Sequence, residues 1–228
     1  MIADEILPII LDDRKGKVYV EPFCGGCNSL CKVDGSRIGC DVNPYLISMW
    51  KMLTGFNVVR PVYISKALYD DVRASYNRSD GKYSQWYTGW VGFMASYNGR
   101  FFDGGYSGHD VNGRDYIAEN IKNTLSQVPL LKGVEFYARP YDEVTYQDCV
   151  IYCDPPYQGT KQYSVSRNFD YPRFWSWVRR MSRYNQVFVS EYSAPDDFEC
   201  VWKKQVTNSL NSKITKRPVE RLFKYKSL

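Results

Sequence analysis

The run DCVIYCDPPY, from Asp148 to Tyr157, limits the fold more than any other stretch of this chain. Asp148 to Cys153 is mostly apolar and rich in strand-forming residues, so it reads as a buried strand. Two prolines end it at once, because proline cannot donate to a β-ladder. An acid, Asp154, is therefore fixed at the carboxyl end of a strand. In open α/β sheets that edge is where ligands bind.

Strand and helix patterns alternate through the rest of the chain. Ile2 to Leu11 has helical apolar spacing, GKVYVEPF follows as a strand, CGGCN as a glycine turn with a short helix after it, and SRIGCDV as a second strand. A helix is predicted from Pro44 to about Leu53, since proline is tolerated in a first helical turn. Between about residues 60 and 130 the segments become helix-prone and aromatic-rich, broken by YNGRFFDGGYSGHDVNGRD. The five glycines of that break predict an irregular exposed loop. Arg114 to Val128 reads as a helix with Ile117, Ile121, Leu125 and Val128 on one face. GVEFYA and DCVIYCD read as strands, YPRFWSWVRRMSRY as a helix, and QVFVSEY as a strand. Val201 to Thr207 and Val219 to Tyr225 close the chain as a strand pair. The fold class is therefore α/β, a doubly wound and mostly parallel sheet with helices on both faces. A helical insertion at 59–130 interrupts a sheet domain made of 1–58 and 131–228.

Chemistry concentrates at the ends of the first strands. Gly25 and Gly26 in VYVEPFCGGCN let a backbone approach a ligand without a side chain in the way. Asp41 ends the next strand, about 20 residues after the first motif, where a carboxylate accepts hydrogen bonds from both hydroxyls of a ribose. The full G-x-G-x-x-G spacing and a P-loop lysine are both missing, and Glu21 beside the turn repels a pyrophosphate. The arrangement suits a cationic nucleoside cofactor such as S-adenosylmethionine, whose sulfonium and ammonium are positive.

EPFCGG, DVNPYLISMW and DPPY together resemble the D12 class of adenine-N6 DNA methyltransferases, which includes the Dam-type enzymes. Motif order agrees, with the cofactor turn first, a recognition subdomain next and the catalytic tetrapeptide last. SYNG, the glycine-rich loop, DPPYQGTKQYS, FDYPRFWSWVRRMS and KRPVERLFKY are similar to phage-type members, so the resemblance covers most of the chain.

The resemblance implies methyl transfer from S-adenosylmethionine to N6 of adenine, leaving S-adenosylhomocysteine, directly and without a metal. It gives the catalytic role to Asp154, Pro155, Pro156 and Tyr157. The adenine amine is a weak nucleophile because its lone pair is delocalised into the ring. Asp154 and the Pro155 carbonyl accept its N–H bonds and favour a pyramidal nitrogen. Tyr157 stacks on a base flipped out of double-stranded DNA. Cofactor contacts fall to Glu21, Pro22, Phe23, Gly25, Gly26, Asp41, Val42 and Asp154. Asp142 in RPYDEV faces the cofactor adenine or serves as an ordinary helix N-cap. DNA contacts fall to Asn98, Arg100, Arg114, Lys161 and Tyr163. Family members usually begin with a segment resembling K-W-x-G-G-K. This chain begins at Met1, where the helix after that segment is expected, so either the start lies upstream or the cofactor site lacks that share. The loop after YNG is shorter than in GATC-reading enzymes, so that specificity is not carried over. Methylation of cytosine N4 or RNA adenine, and a catalytically lapsed DNA- or cofactor-binding homologue, stay as alternatives.

Charge and cysteines set the wider bounds. Residues 161–228 carry 14 Lys/Arg against 6 Asp/Glu, and residues 1–160 carry 16 against 19, so the net +5 arises as +8 and −3. The basic end is a phosphate-facing surface or a solvated face, and Arg179, Arg180 and Arg183 read as a basic helix face. Cys24, Cys27, Cys31 and Cys40 cluster, but there is no second C-x2-C pair and the single histidine is remote, so they read as buried thiols. No apolar run is long enough to span a bilayer and the N-terminus is acidic where a secretory signal is basic. The expected setting is a monomer in the cytoplasm of a bacterial cell, encoded by a phage or a restriction-modification system.

Overall fold

In a computed structural model of the chain, residues 2–108, 113–159, 168–205 and 219–226 are described. Strands β1 (Val18–Glu21), β2 (Arg37–Asp41), β3 (Glu135–Ala138), β4 (Cys149–Cys153), β5 (Gln186–Glu191), β6 (Phe198–Gln205) and β7 (Val219–Tyr225) form one sheet in the order β3-β2-β1-β4-β5-β7-β6. The first five are parallel, and β7 runs antiparallel between β5 and β6. Connections after β1 run outward to β2 and β3, and those after β4 run the other way. The chain therefore reverses between β1 and β4, which opens a crevice at their carboxyl ends.

Period-two alternation divides the strand residues between two cores. Tyr19, Val150, Tyr152, Phe188 and Leu222 belong to one, and Val20, Ile151, Cys153, Val187, Val189 and Phe223 to the other. Helices α1 (Ile2–Leu11) and α2 (Pro44–Gly55) cover the first face, and the helix Tyr171–Met181 covers the second with Phe174, Trp175, Trp177 and Val178. Helix α2 starts where the sequence predicts because Asn43 accepts the amides of Tyr45 and Leu46, with Pro44 in the first turn. In β2, a Cβ on Gly39 would lie 2.9 Å from Leu30 and 3.0 Å from Phe136, so only glycine lets these side chains close over the strand.

Between β2 and β3 come α3 (Lys66–Arg78), α4 (Gln85–Ala95) and α5 (Tyr116–Gln127), which makes the Tyr171–Met181 helix α6. Helix α4 lies directly on α2, where a Cβ on Gly89 would stand 2.3 Å from the Tyr45 carbonyl oxygen. Helix α5 begins at Tyr116 because Asp115 accepts the Ala118 amide at 2.9 Å, so Arg114 lies outside the helix predicted to contain it. Asp148 adopts φ 55° and β4 begins one residue later than predicted.

One loop departs from expectation. Residues 97–107 fold back on themselves, with Tyr97 N donating to Gly105 O at 2.9 Å and Ser107 N to Ala95 O at 2.8 Å. Buried Ser96 accepts the Phe102 amide at 2.9 Å and shares a hydrogen bond with Tyr69 at 3.1 Å. Phe102 is buried among Tyr69, Tyr76 and Phe101. Glycine content alone suggests solvent exposure, but the aromatic pair within the segment needs burial and draws it onto the helices.

Candidate active site

The glycine turn is held from three sides. Gly25 is left-handed, φ 44°, and open space surrounds the position its Cβ would take. Its N–H donates to Asp41 Oδ2 at 3.2 Å, and its carbonyl accepts from the Trp50 indole at 3.1 Å. The Gly26 carbonyl accepts from the Gln127 amide at 3.1 Å, which ties the turn to α5. The other oxygen of Asp41 accepts the Asn43 amide at 2.9 Å. Burial pushes the Asp41 pKa up, and these backbone N–H groups oppose the shift.

Glu21 ends β1, buried, and accepts the Tyr19 hydroxyl at 2.9 Å. Burial raises its pKa to about 8, the Tyr19 hydrogen bond opposes that, and the charge of Asp154 adds to it. Asp154 follows β4 at the mouth of the crevice. Solvent reaches it there, yet protein surrounds the carboxyl on its other sides, and this crowding is the largest cause raising its pKa to about 6. A hydrogen bond from Tyr157 opposes the rise, and the charges of Glu220 and Glu191 reinforce it.

Two contacts fix the main chain of the tetrapeptide. Tyr171 donates its hydroxyl to the Pro156 carbonyl at 2.9 Å, and Gln158 N donates to Glu191 Oε1 at 2.6 Å. Tyr157 meets the ring of Tyr192 edge-on, with centroids 4.8 Å apart and planes at 86°.

A cavity of about 950 Å³ opens beside this crevice, between the glycine turn, α2 and the inserted helices. Gly25, Gly26 and Asp41 line it on one side, and Asn98 and Arg100 on the other, so residues far apart in sequence share one wall-to-wall space. Asp154 to Tyr157 are not among its lining residues; β4, which leads into them, pairs directly with β1, which leads into the glycine turn.

Other predicted residues fall elsewhere. Pro22 is buried, and Phe23 stacks on Tyr141 at 5.5 Å and joins the rings of Phe169 and Phe174. Val42 is 55% exposed at the end of β2. Asp142 pairs with Arg173, and the N-cap of its short turn is Pro140. Arg114 forms a two-bond ion pair with Glu119 and lies over Tyr116. Arg179 pairs with Asp197, while Arg180 and Arg183 are exposed. Lys161 and Tyr163 lie outside the described residues. Cys24, Cys27 and Cys40 are buried free thiols, Cys31 is half-buried, and no metal-holding group of His, Cys, Asp or Glu occurs among the described residues.

Four residues escaped the sequence reading. Glu191 and Tyr192 in QVFVSEY repeat the signal of an acid at a strand end and could have been found that way. Glu220 arrives on antiparallel β7, and Tyr171 from α6. No local pattern marks either.

The donor set fits a cation that carries hydroxyls. Glu21, Asp41 and Asp154 stand at the ends of β1, β2 and β4, and burial raises the pKa of each, so a positive group among them would favour their ionised forms. The model for D12 class N6 adenine-specific DNA methyltransferases matches residues 1–177 of the 228. The chain belongs to that family. It is an enzyme that methylates N6 of adenine in DNA, and the family does not favour the cytosine-N4, RNA or lapsed readings. No curated protein matches the methyltransferase by sequence. Among solved structures, a Streptococcus thermophilus rRNA methylase is 8% identical, with TM-score 0.42 and coverage of 99% of this chain and 96% of that one. SMU.472, a methyltransferase candidate complexed with SAH, is 14% identical, with TM-score 0.36. The alignment covers 99% of this chain and 52% of SMU.472. At these scores the family match carries the assignment. No helix among the described residues is long and apolar enough to cross a membrane.

Proposed function

We propose that this methyltransferase binds S-adenosylmethionine along the ends of β1 and β2 and an adenine flipped from double-stranded DNA at Asp154–Tyr157. S-adenosylmethionine supplies a methyl group on a positively charged sulfur. Asp41 holds the ribose, since a carboxylate has room for hydroxyl donors beyond the two amides it already accepts. Gly25 and Gly26 admit the methionine end, Glu21 faces its positive charge, and exposed Val42 packs on the adenine edge. Because Asp142 is paired with Arg173, it contributes to that edge through position more than through a free carboxylate.

Asp154 and the Pro155 carbonyl accept the two N6–H bonds of the target and aim the nitrogen lone pair toward the methyl-bearing side. Tyr157 packs on the base, and its contact with Tyr192 keeps the ring upright. The inserted helices at 59–130 form the DNA-recognition part, with Asn98 and Arg100 reaching the cavity from that side. Arg114, Lys161 and Tyr163 join it as backbone or base contacts. The setting proposed with it is a monomer in the bacterial cytoplasm, serving a phage or a restriction-modification system.

The observation that carries this reading is that Glu21 and Asp154 stand at the carboxyl ends of the paired parallel strands β1 and β4, where the strand order reverses. Labelled S-adenosylmethionine with unmethylated duplex DNA, followed by mass spectrometry of the nucleosides, tests it. N6-methyladenine is expected from the parent and not from Asp154→Ala. Turnover retained by Asp154→Ala would remove Asp154 from the site.

A further inference from the structure

The last residue of β5, Glu191, is 1% exposed and spends its carboxylate on the backbone of two loops. Oε1 accepts Gln158 N at 2.6 Å, directly after the tetrapeptide, and Oε2 accepts Tyr192 N at 2.5 Å. The Ser193 amide adds a third bond. Gly159, at φ 80°, turns the chain immediately beyond the first of these contacts. On the opposite side, Tyr171 holds the Pro156 carbonyl. Tyr192, whose backbone Glu191 grips, is the residue whose ring meets Tyr157. A buried carboxylate normally sits against a cation, but the partners found here are all main-chain amides.

The geometry points to Glu191 as a positioning residue that clamps the exit of the Asp154–Tyr157 tetrapeptide to the end of β5 and so fixes both Tyr157 and the Asp154 carboxylate for transfer. This rests on the reading that the tetrapeptide is the catalytic element. Pro155 and Pro156 stiffen the loop from within, but proline leaves ψ free. An anchor at Gln158 removes the remaining pivot. The adenine amine gains only from acceptors held in place as its nitrogen pyramidalises, so a loosened exit reduces transfer without altering cofactor or DNA affinity.

Glu191→Gln and Glu191→Ala, compared with the parent and with Asp154→Ala, decide the matter through kcat, KM for duplex DNA, the Kd for S-adenosylmethionine and Tm. Gln keeps one acceptor but turns an NH2 toward an amide donor. The expected result is a kcat about tenfold or more below the parent for Glu191→Gln and lower still for Glu191→Ala, with KM and Kd within about twofold. A kcat within about twofold in folded Glu191→Gln overturns the clamp, and so does a parallel rise in KM and Kd, which marks general distortion. If Glu191→Ala does not fold, the isosteric Gln variant decides alone. Turnover retained by Asp154→Ala instead overturns the catalytic reading of the tetrapeptide, so the two failures are distinguishable.

Discussion

Asp41 accepts the backbone N–H of Gly25 at 3.2 Å, so the acid that ends β2 also holds the glycine turn that follows β1. Its other oxygen caps the start of α2 through Asn43 N at 2.9 Å. On the proposed reading, Asp41→Ala removes a ribose ligand and loosens the turn together. The loss in S-adenosylmethionine affinity should be about 1.5–3 kcal/mol, the scale for hydrogen bonds to a charged group, or roughly ten- to 150-fold. Calorimetric titration checks it. An unchanged Kd would mean that the cofactor does not contact this carboxylate.

On the proposed mechanism Asp154 is the stronger acceptor when ionised, since a protonated carboxyl turns one oxygen into a donor. With its pKa near 6, the free enzyme should lose kcat/KM as pH falls through about 6, tenfold per pH unit below that point. A positive sulfonium beside the carboxylate favours the ionised form, so the corresponding limb of kcat should lie at lower pH. Rate–pH profiles under both regimes check this. Coincident limbs, or none above pH 5, would show that the carboxylate is not shaped by the surroundings described here.

What could be read from the chain follows from how local each determinant is. The acids ending β1, β2 and β4 were legible because a short apolar run followed by Glu-Pro, Asp-Val-Asn-Pro or Asp-Pro-Pro is a signal within ten residues. The apolar strands likewise announced a covered parallel sheet. Glu220 was not legible, because its place beside Tyr157 depends on β7 pairing antiparallel with β5, a register set by tertiary packing. Asp142 was assigned without Arg173, which reaches it from 31 residues away. The contacts of Phe23 with Tyr141, Phe169 and Phe174 were not legible either, since aromatic packing depends on partners that only the fold brings together.

Gly89 lets α4 sit on α2. A Cβ there would stand 2.3 Å from the Tyr45 carbonyl oxygen and 3.2 Å from Met49 Cβ, and neither backbone can yield without parting α2 from α4. Gly89→Ala should cost about 1–3 kcal/mol by overpacking, despite the better helix propensity of alanine. Denaturant unfolding measures the change. A gain in stability would show that the two helices have slack between them.

Glu21 should make the protein less stable as pH rises. Its folded pKa is near 8 against 4.5 for an ordinary glutamate, because burial disfavours the anion. Between those values the unfolded chain has released its proton and the folded chain still holds it. The contribution of the protonated group is therefore full below about 4.5 and is lost progressively up to about 8. Glu21→Gln keeps an acceptor for the Tyr19 hydroxyl and carries no charge at any pH, so it should flatten the fall of Tm across this window and melt above the parent at pH 8. Thermal melts of both proteins at a series of pH values measure the difference. Parallel curves would mean that Glu21 is already ionised in the folded enzyme, with a counter-charge close by.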